Sequence, residues 1–234
     1  MVACLLCVAV WYQVSRVAAR ERAMGFLKTQ GHVLSIEECR TLGIAWLDTP
    51  YLTSPRPWYH PMYRWYRYCT DDYGESMAFV HMTITDEIVD AMAMFPKTRS
   101  LHLQDSTVTD KQLLRLAGLR NLSYLNLERT PVTDAGLECL LHSQELQWLE
   151  LNDTAITDKS VPYILQLKTL KVLRIHNTRI TNTGAKQLTA LPKLEQLSLF
   201  TRSGTPDPIT KETYDYIESH LKGCDLVGGY APKD

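Results

Sequence analysis

Few residues in this sequence have the types and spacing that chemistry requires. Cys4 and Cys7 form a CxxC pair, which in other settings binds zinc or exchanges disulfides. Here the pair lies in an apolar run with no second pair at zinc-site spacing, so we interpret both cysteines as small apolar residues. The six cysteines are also too thinly spread over 234 residues to indicate a disulfide scaffold. We expect no metal ion and no cofactor.

The remaining side chains that could act in catalysis or bind a metal do not form a recognisable site in the sequence. Seven histidines are scattered, and the sequence has no HExxH, no GxSxG and no glycine-rich phosphate loop. His102 and His176 fall on one face of a predicted sheet, but three strands apart, which is roughly 14 Å at the usual strand spacing. An acid follows a threonine in several successive segments, and helix capping explains this better than a row of cation ligands. We therefore expect no enzyme.

The charge composition argues against a nucleic-acid partner. The formal net charge is −1 and the pI is about 6.7, so no basic excess exists to drive nucleic-acid binding. The hydrophobic fraction of 45% and the length fit a single folded domain with a sizeable core. We expect a monomer that binds no nucleic acid.

A repeat of 24 residues determines where the predicted strands and helices lie. Threonine recurs at a constant step, a branched apolar residue precedes it, and an acid follows it in the first four units. Two apolar residues, separated by one position, stand eight and six residues before each threonine. The threonines are Thr85, Thr109, Thr133, Thr157 and Thr181.

Each unit predicts a short strand followed by a helix. The LxL segment places two leucines on one side of a strand, and threonine with aspartate starts a helix with apolar residues at helical spacing. Either the threonine or the aspartate could be the cap. One unit cannot bury its apolar face alone, so stacked units should share a core between parallel strands and a row of helices.

These residues resemble the leucine-rich-repeat family. The pattern LxxLxLxxTxITDxGLxxLxxL is close to the cysteine-containing subtype, and residues 122–140 match it best. The resemblance covers about residues 77–226. It implies an α/β, right-handed solenoid with strands on the concave face, helices on the convex face, an N-terminal cap and an N-terminal hydrophobic helix. It further implies a non-catalytic protein-interaction module.

The resemblance and the composition together divide the sequence into four parts. Residues 1–19 are a hydrophobic signal-anchor or signal peptide, and residues 20–76 are a basic helix with an aromatic capping region. Residues 77–200 hold five repeats and the start of a sixth, and residues 201–234 form an irregular last repeat and a C-terminal cap. The first 76 residues are similar to the front of short membrane-anchored bacterial leucine-rich-repeat proteins.

The N-terminal run admits two main interpretations, with a buried helix of a soluble protein as a further alternative. Residues 2–12 are apolar, but eleven residues are too few to cross a bilayer. The favoured interpretation is the end of a membrane anchor, with the following arginines and the folded part on the cytoplasmic side. The alternative is an exported protein whose signal peptide is cleaved after Val17-Ala18-Ala19.

Residues 50–73 are rich in tyrosine, tryptophan, proline and arginine. They predict either an N-terminal cap that seals the first repeat, a docking patch, or a segment lying on a membrane surface. The capping interpretation is favoured.

The strand residues between the inward leucines predict a binding surface on the concave face. Tyr124 should neighbour Trp148, and Glu150 should neighbour Arg174, on adjacent strands. An exposed aromatic pair beside a mixed-charge strip is typical of a protein-binding site. The alternative is that these cross-strand pairs only stabilise the sheet. The predicted protein-binding residues are Tyr124, Asn126, Trp148, Glu150, Arg174, His176 and Phe200.

Three functions fit these observations. The first is a membrane-tethered module that recruits a protein partner of unknown identity. The second is a structural or envelope-associated repeat protein with no specific ligand. The third follows from family analogy alone, since some repeats of this subtype are substrate receptors in ubiquitin-ligase complexes. It is disfavoured because no F-box-like segment precedes residue 76.

Overall fold

The computed structural model describes residues 33–34, 76–199 and 209–227. The predicted hydrophobic segment 1–19, the basic helix that should follow it, the aromatic segment 50–73 and Phe200 lie outside these residues. The structure thus bears on the repeats, on the final helix and on one short strand that precedes the repeats.

A single sheet runs through all the described parts of the protein, with its strands in sequence order. The first strand is antiparallel to the second, and each later pair is parallel. The strands are β1 (Val33–Leu34), β2 (Ser76–Phe79), β3 (Ser100–His102), β4 (Tyr124–Asn126), β5 (Trp148–Glu150), β6 (Val172–Arg174), β7 (Gln196–Ser198) and β8 (Asp225–Val227).

The predicted period sets the strand register. From β2 to β7 each residue pairs with the residue 24 positions later, as Leu101 does with Leu125 and Leu125 with Leu149. The inward leucines therefore form continuous columns, which is why a period read from the sequence predicts the pairing. The last step is longer, since Leu197 pairs with Leu226.

Helices follow the strands and begin where the threonines predict. The α-helices are α1 (Asp86–Ala93), α2 (Asp110–Arg115), α3 (Val161–Ile164), α4 (Asn182–Gln187) and α5 (Lys211–His220). The 3₁₀ helices are Asp134–His142, Asp158–Ser160 and Leu188–Ala190. In the third repeat the expected α-helix is thus wound as a 3₁₀ helix. Pro162 is tolerated because it stands in the first turn of α3.

Threonine, not aspartate, is the helix cap. Thr109 has extended backbone angles, its hydroxyl accepts the N–H of Gln112, and the Gln112 side chain accepts the Thr109 N–H in return. The Thr85 hydroxyl caps α1 by accepting the N–H of Ile88. The aspartate that follows is free for another contact.

The core is one continuous layer between the sheet and the helices. Leu101, Leu125, Leu149 and Leu173 are fully buried, one above the other. In the first repeat Met77 and Phe79 take the leucine positions and are also fully buried. After the last full repeat, Ile217 of α5 and Leu221 join the same core. Cys224, which the sequence predicts to be buried, is only half-buried.

Candidate binding surface

The sheet face opposite the leucines brings the predicted residues together. Tyr124 of β4 pairs in register with Trp148 of β5, and Glu150 of β5 pairs with Arg174 of β6. Asn126 lies beside Glu150 on the other side. We call the surface formed by Tyr124, Asn126, Trp148, Glu150 and Arg174 the inner-face patch.

Glu150 is the centre of the inner-face patch. Its Oε1 accepts hydrogen bonds from the Tyr124 hydroxyl and the Trp148 Nε1–H, both at 2.9 Å. Its Oε2 accepts a bond from the Asn126 Nδ2–H at 3.3 Å. A single carboxylate thus orients two aromatic rings and an amide from two strands, which preorganises the surface.

Aromatic and cationic groups form a row across the strands. The ring centroids of His102 and Tyr124 are 4.5 Å apart, and those of Tyr124 and Trp148 are 5.8 Å apart. The Arg174 guanidinium carbon lies 5.4 Å from the centroid of the Trp148 ring, within cation–π range. Neighbouring planar groups of this kind offer a large contact area at low entropic cost.

Burial shapes the electrostatics of the patch. Removal from water raises the pKa of the Glu150 carboxyl, and the Arg174 charge and the bonds from Tyr124 and Trp148 oppose that rise. Burial, together with the neighbouring Glu150 charge, raises the pKa of the Tyr124 hydroxyl. The tyrosine therefore stays a hydrogen-bond donor at neutral pH.

Two of the predicted binding residues are buried. Glu150 and Asn126 each retain only 6% of their accessible surface, whereas Tyr124, Trp148 and Arg174 are half-buried. The reason is that the aromatic side chains lean over the carboxylate to which they donate. Glu150 and Asn126 thus form the buried part of the patch. The Tyr124 and Trp148 rings and the Arg174 guanidinium form its accessible part.

His176 lies just beyond the end of β6, beside the patch. Its backbone N–H donates to the Asn152 side-chain oxygen at 3.1 Å, and its Nε2 lies 4.0 Å from the Asp153 Oδ2. The His176 side chain is 30% exposed and borders the surface. Phe200, the remaining predicted binding residue, is outside the described part of the protein.

Sequence reasoning missed a row of polar residues at the turn after each strand. His81, Asp105, Arg129, Asp153 and Asn177 all have positive φ, between 52° and 57°, and occur at the same 24-residue step. Arg129 donates to both carboxylate oxygens of Asp105, at 2.6 and 2.7 Å, which lowers the pKa of that acid. None of the five is a glycine, so the usual signal for a left-handed turn is missing.

The described residues offer neither a metal cluster nor a membrane-spanning helix. Within residues 76–199 and 209–227, no three histidine, cysteine or acidic side chains cluster closely enough to hold a metal ion. No helix of the described residues is long and apolar enough to cross a bilayer.

Comparison with known proteins supports the family resemblance. A family model described as leucine-rich repeat matches residues 118–141. The seven parallel strands β2–β8 and the helices between them, together with that sequence match, fit the fold of an α/β leucine-rich-repeat solenoid. Nothing in these observations distinguishes the cysteine-containing subtype from other leucine-rich repeats.

The crystal structure of an internalin from Listeria monocytogenes is similar, with a TM-score of 0.49 and 20% sequence identity. The alignment covers 64% of this protein and 39% of the internalin, so the sequence spans well under half the length of that protein. No curated protein matches the sequence.

Proposed function

We propose that this protein is a non-catalytic interaction module that binds a protein partner through the inner-face patch. The observation that carries the proposal is the Glu150 network, in which one buried carboxylate orients Tyr124 and Trp148. A buried acid is costly, and a parallel sheet does not require one for its stability. Tryptophan, tyrosine and arginine are the residues most enriched at interface hot spots.

The position of the patch supports the same function. It lies on the sheet face of a solenoid, the surface that such repeat proteins use for extended contacts. The backbone hydrogen bonds there are already made between strands, so a partner would meet side chains only. The helices bury the opposite sheet face in the core.

We further propose that residues 1–19 tether the module to a membrane, with the repeats on the cytoplasmic side. The apolar run at residues 2–12 and the arginines that follow it support this topology. Attaching a reporter enzyme to the C-terminus and measuring its accessibility to protease in intact cells tests the topology. Export with cleavage after Ala19 would produce a mature protein that begins at Arg20, which N-terminal sequencing detects.

The binding proposal is tested by removing the accessible part of the patch. Trp148→Ala and Arg174→Ala should abolish the binding of a purified partner that has first been identified by crosslinking to the wild-type protein. The matched control is Lys186 and Tyr216, another cation–aromatic pair, with Lys186 Nζ 5.3 Å from the Tyr216 ring on the helical side. Lys186→Ala and Tyr216→Ala should leave binding unchanged.

Each variant must first be shown to be folded. Trp148→Phe keeps an aromatic ring but loses the five-membered ring of the indole and with it the Nε1–H bond to Glu150, so it should bind more weakly than wild type but better than Trp148→Ala. If the two inner-face variants are folded and retain every partner at wild-type affinity, the binding surface lies elsewhere.

A further inference from the structure

Arg174 holds hydrogen-bonding capacity that the fold does not use. Its Nη1 lies 3.7 Å from the Glu150 Oε1, which is an ion pair but too long for a hydrogen bond. Among the described residues, no other group accepts a hydrogen bond from its guanidinium, and none of its nitrogens is sealed from solvent. A guanidinium has five N–H donors in a planar fork, so these donors remain available to a partner.

The guanidinium also has a neighbour that limits its movement. Its carbon lies 5.4 Å from the centroid of the Trp148 ring, and Trp148 is itself held by its bond to Glu150. The Arg174 side chain is only 19% exposed, so little side-chain entropy remains to be lost on binding. An arginine that lies beside an aromatic ring and keeps its planar donors unused suits two-pronged recognition of a carboxylate.

We propose that Arg174 binds the side-chain carboxylate of an aspartate or glutamate on the protein partner. The assignment rests on the proposed function and adds the chemistry of the group that occupies the patch. Tyr124 and Trp148 would contact the apolar part of the same partner segment, beside the acid. The partner's carboxylate would accept hydrogen bonds from the Arg174 N–H groups that Glu150 leaves unused.

Three observations favour a side-chain carboxylate over other anions. The Glu150 carboxylate lies beside the fork, so a phosphate dianion would meet more repulsion than a carboxylate monoanion. The terminal carboxylate of a polypeptide is usually captured by clusters of free backbone N–H groups, and the strands here use theirs in the sheet. The formal net charge of −1 provides no field for a nucleic acid.

The test uses peptides, because the partner is unidentified. A library of twelve-residue peptides is selected on the full-length protein; an extended peptide of this length spans about 40 Å, more than the roughly 10 Å from β4 to β6. Each selected peptide is then synthesised in pairs that differ by one Glu→Gln or Asp→Asn change, and each pair is titrated calorimetrically. For wild type, the amide member should bind about tenfold to a hundredfold more weakly, as expected for loss of a charged hydrogen-bonded pair.

The same pairs are titrated against Arg174→Ala and Arg174→Lys. In Arg174→Ala the two members should bind equally, and in Arg174→Lys the difference should be small, because lysine keeps the charge but lacks the fork. Lys186→Ala, on the helical side, should behave as wild type. As a direct readout, the Nε–H resonance of Arg174 should shift with the acidic peptide and not with its amide partner.

The outcomes separate this assignment from the function on which it rests. If Trp148→Ala abolishes peptide binding while the acid-to-amide change has no effect, the carboxylate assignment is wrong and the binding surface stands. If amidation of the peptide C-terminus alone abolishes binding, the ligand is a terminal carboxylate and the assignment is again wrong. If no selected peptide is sensitive to Trp148→Ala, the inner-face patch binds nothing and both proposals fail.

Discussion

Asp110 accepts two hydrogen bonds from Thr133, the threonine that begins the next helix 23 residues later. The Thr133 backbone N–H donates to Oδ1 at 2.8 Å and its hydroxyl donates to Oδ2 at 2.6 Å. Asp134 binds Thr157, and Asp158 binds Thr181, through the same two bonds. The aspartates of these three repeats therefore join each of those units to its successor. The Thr157 and Thr181 hydroxyls also accept an N–H of their own helix, whereas the Thr133 hydroxyl does not.

Asp134→Ala should destabilise the protein by about 2 kcal/mol, because it leaves the part-buried Thr157 N–H and hydroxyl without their shared acceptor. Urea unfolding followed by circular dichroism measures the change. Asp134→Asn is the matched control, since Asn182 already occupies this position in the last repeat and accepts the Thr210 N–H at 2.8 Å. The asparagine variant should lose less than half as much, and an equal loss in both variants would contradict the role assigned to the backbone bond.

Gly184 lies next to the Asp158 carboxylate of the previous repeat, which bonds to Thr181. A Cβ at this position would sit 2.2 Å from the Asp158 Oδ1, so Gly184→Ala must displace a carboxylate that is already bonded to Thr181. Ser160, at the same point of its own repeat, has a Cβ and the Asp134–Thr157 bonds survive beside it, so the displacement is moderate. We expect a loss of about 1 kcal/mol in the free energy of unfolding.

Two comparisons isolate the cause of that loss. Gly118→Ala should have little effect, because a Cβ at Gly118 meets nothing within 4 Å. In an Asp158→Ala background the cost of Gly184→Ala should disappear, since the obstructing carboxylate is gone. An undiminished cost in the double variant would point to the backbone or to Ile180 instead.

Ser106 lacks the hydrogen bond that its counterparts make. Thr130, Thr154 and Thr178 donate their hydroxyls to the carbonyls of the residues three positions earlier, at 2.6 to 2.8 Å. Ser106 is buried, and its Oγ has no partner among the described residues. Ser106→Thr should therefore stabilise the fold by about 1 kcal/mol, since the added methyl restricts the side chain to the orientation that its counterparts use.

Ser106→Val separates the two contributions to that gain. It adds the methyl surface without the hydroxyl, so it should be less stable than Ser106→Thr by the value of one buried hydrogen bond, about 1 kcal/mol. Thermal unfolding by calorimetry ranks the three proteins. A valine variant as stable as the threonine variant would show that packing alone accounts for the effect.

The sequence predicts the repeat well because its signal is redundant. Leu101, Leu125 and Leu149 recur at one spacing, and a strand shifted by one residue would turn every leucine towards solvent. It also predicts that Glu150 neighbours Arg174, since a fixed register determines which residues face each other.

What the sequence does not predict depends on side-chain orientation across repeats. Asp110 bonds to Thr133 of the next repeat. In the sequence, each Thr-Asp pair predicts only the start of its own helix and gives no sign of a bond between repeats. The burial of Glu150 arises because Tyr124 and Trp148 turn towards it, and alternation along a strand shows only the face on which a residue lies. The left-handed turn at Arg129 has no glycine to mark it.

The raised pKa of Glu150 gives a stability profile that depends on pH. Burial raises the pKa of this carboxyl in the folded state above its unfolded value, so the folded protein holds the proton more tightly. The stabilisation from that proton is present below the unfolded pKa. It is lost as pH rises through the folded pKa.

Glu150→Gln removes the titration and keeps an oxygen that can accept from Tyr124 and Trp148. The free energy of unfolding of wild type minus that of Glu150→Gln should therefore fall as pH rises from about 4 to 7, the range above the unfolded pKa of a glutamate. Urea unfolding at several pH values measures this difference. Arg174→Ala should make the fall steeper, because Arg174 is the main group that favours the ionised form of Glu150. A difference that rises with pH would mean that the network holds Glu150 ionised more strongly than burial opposes it.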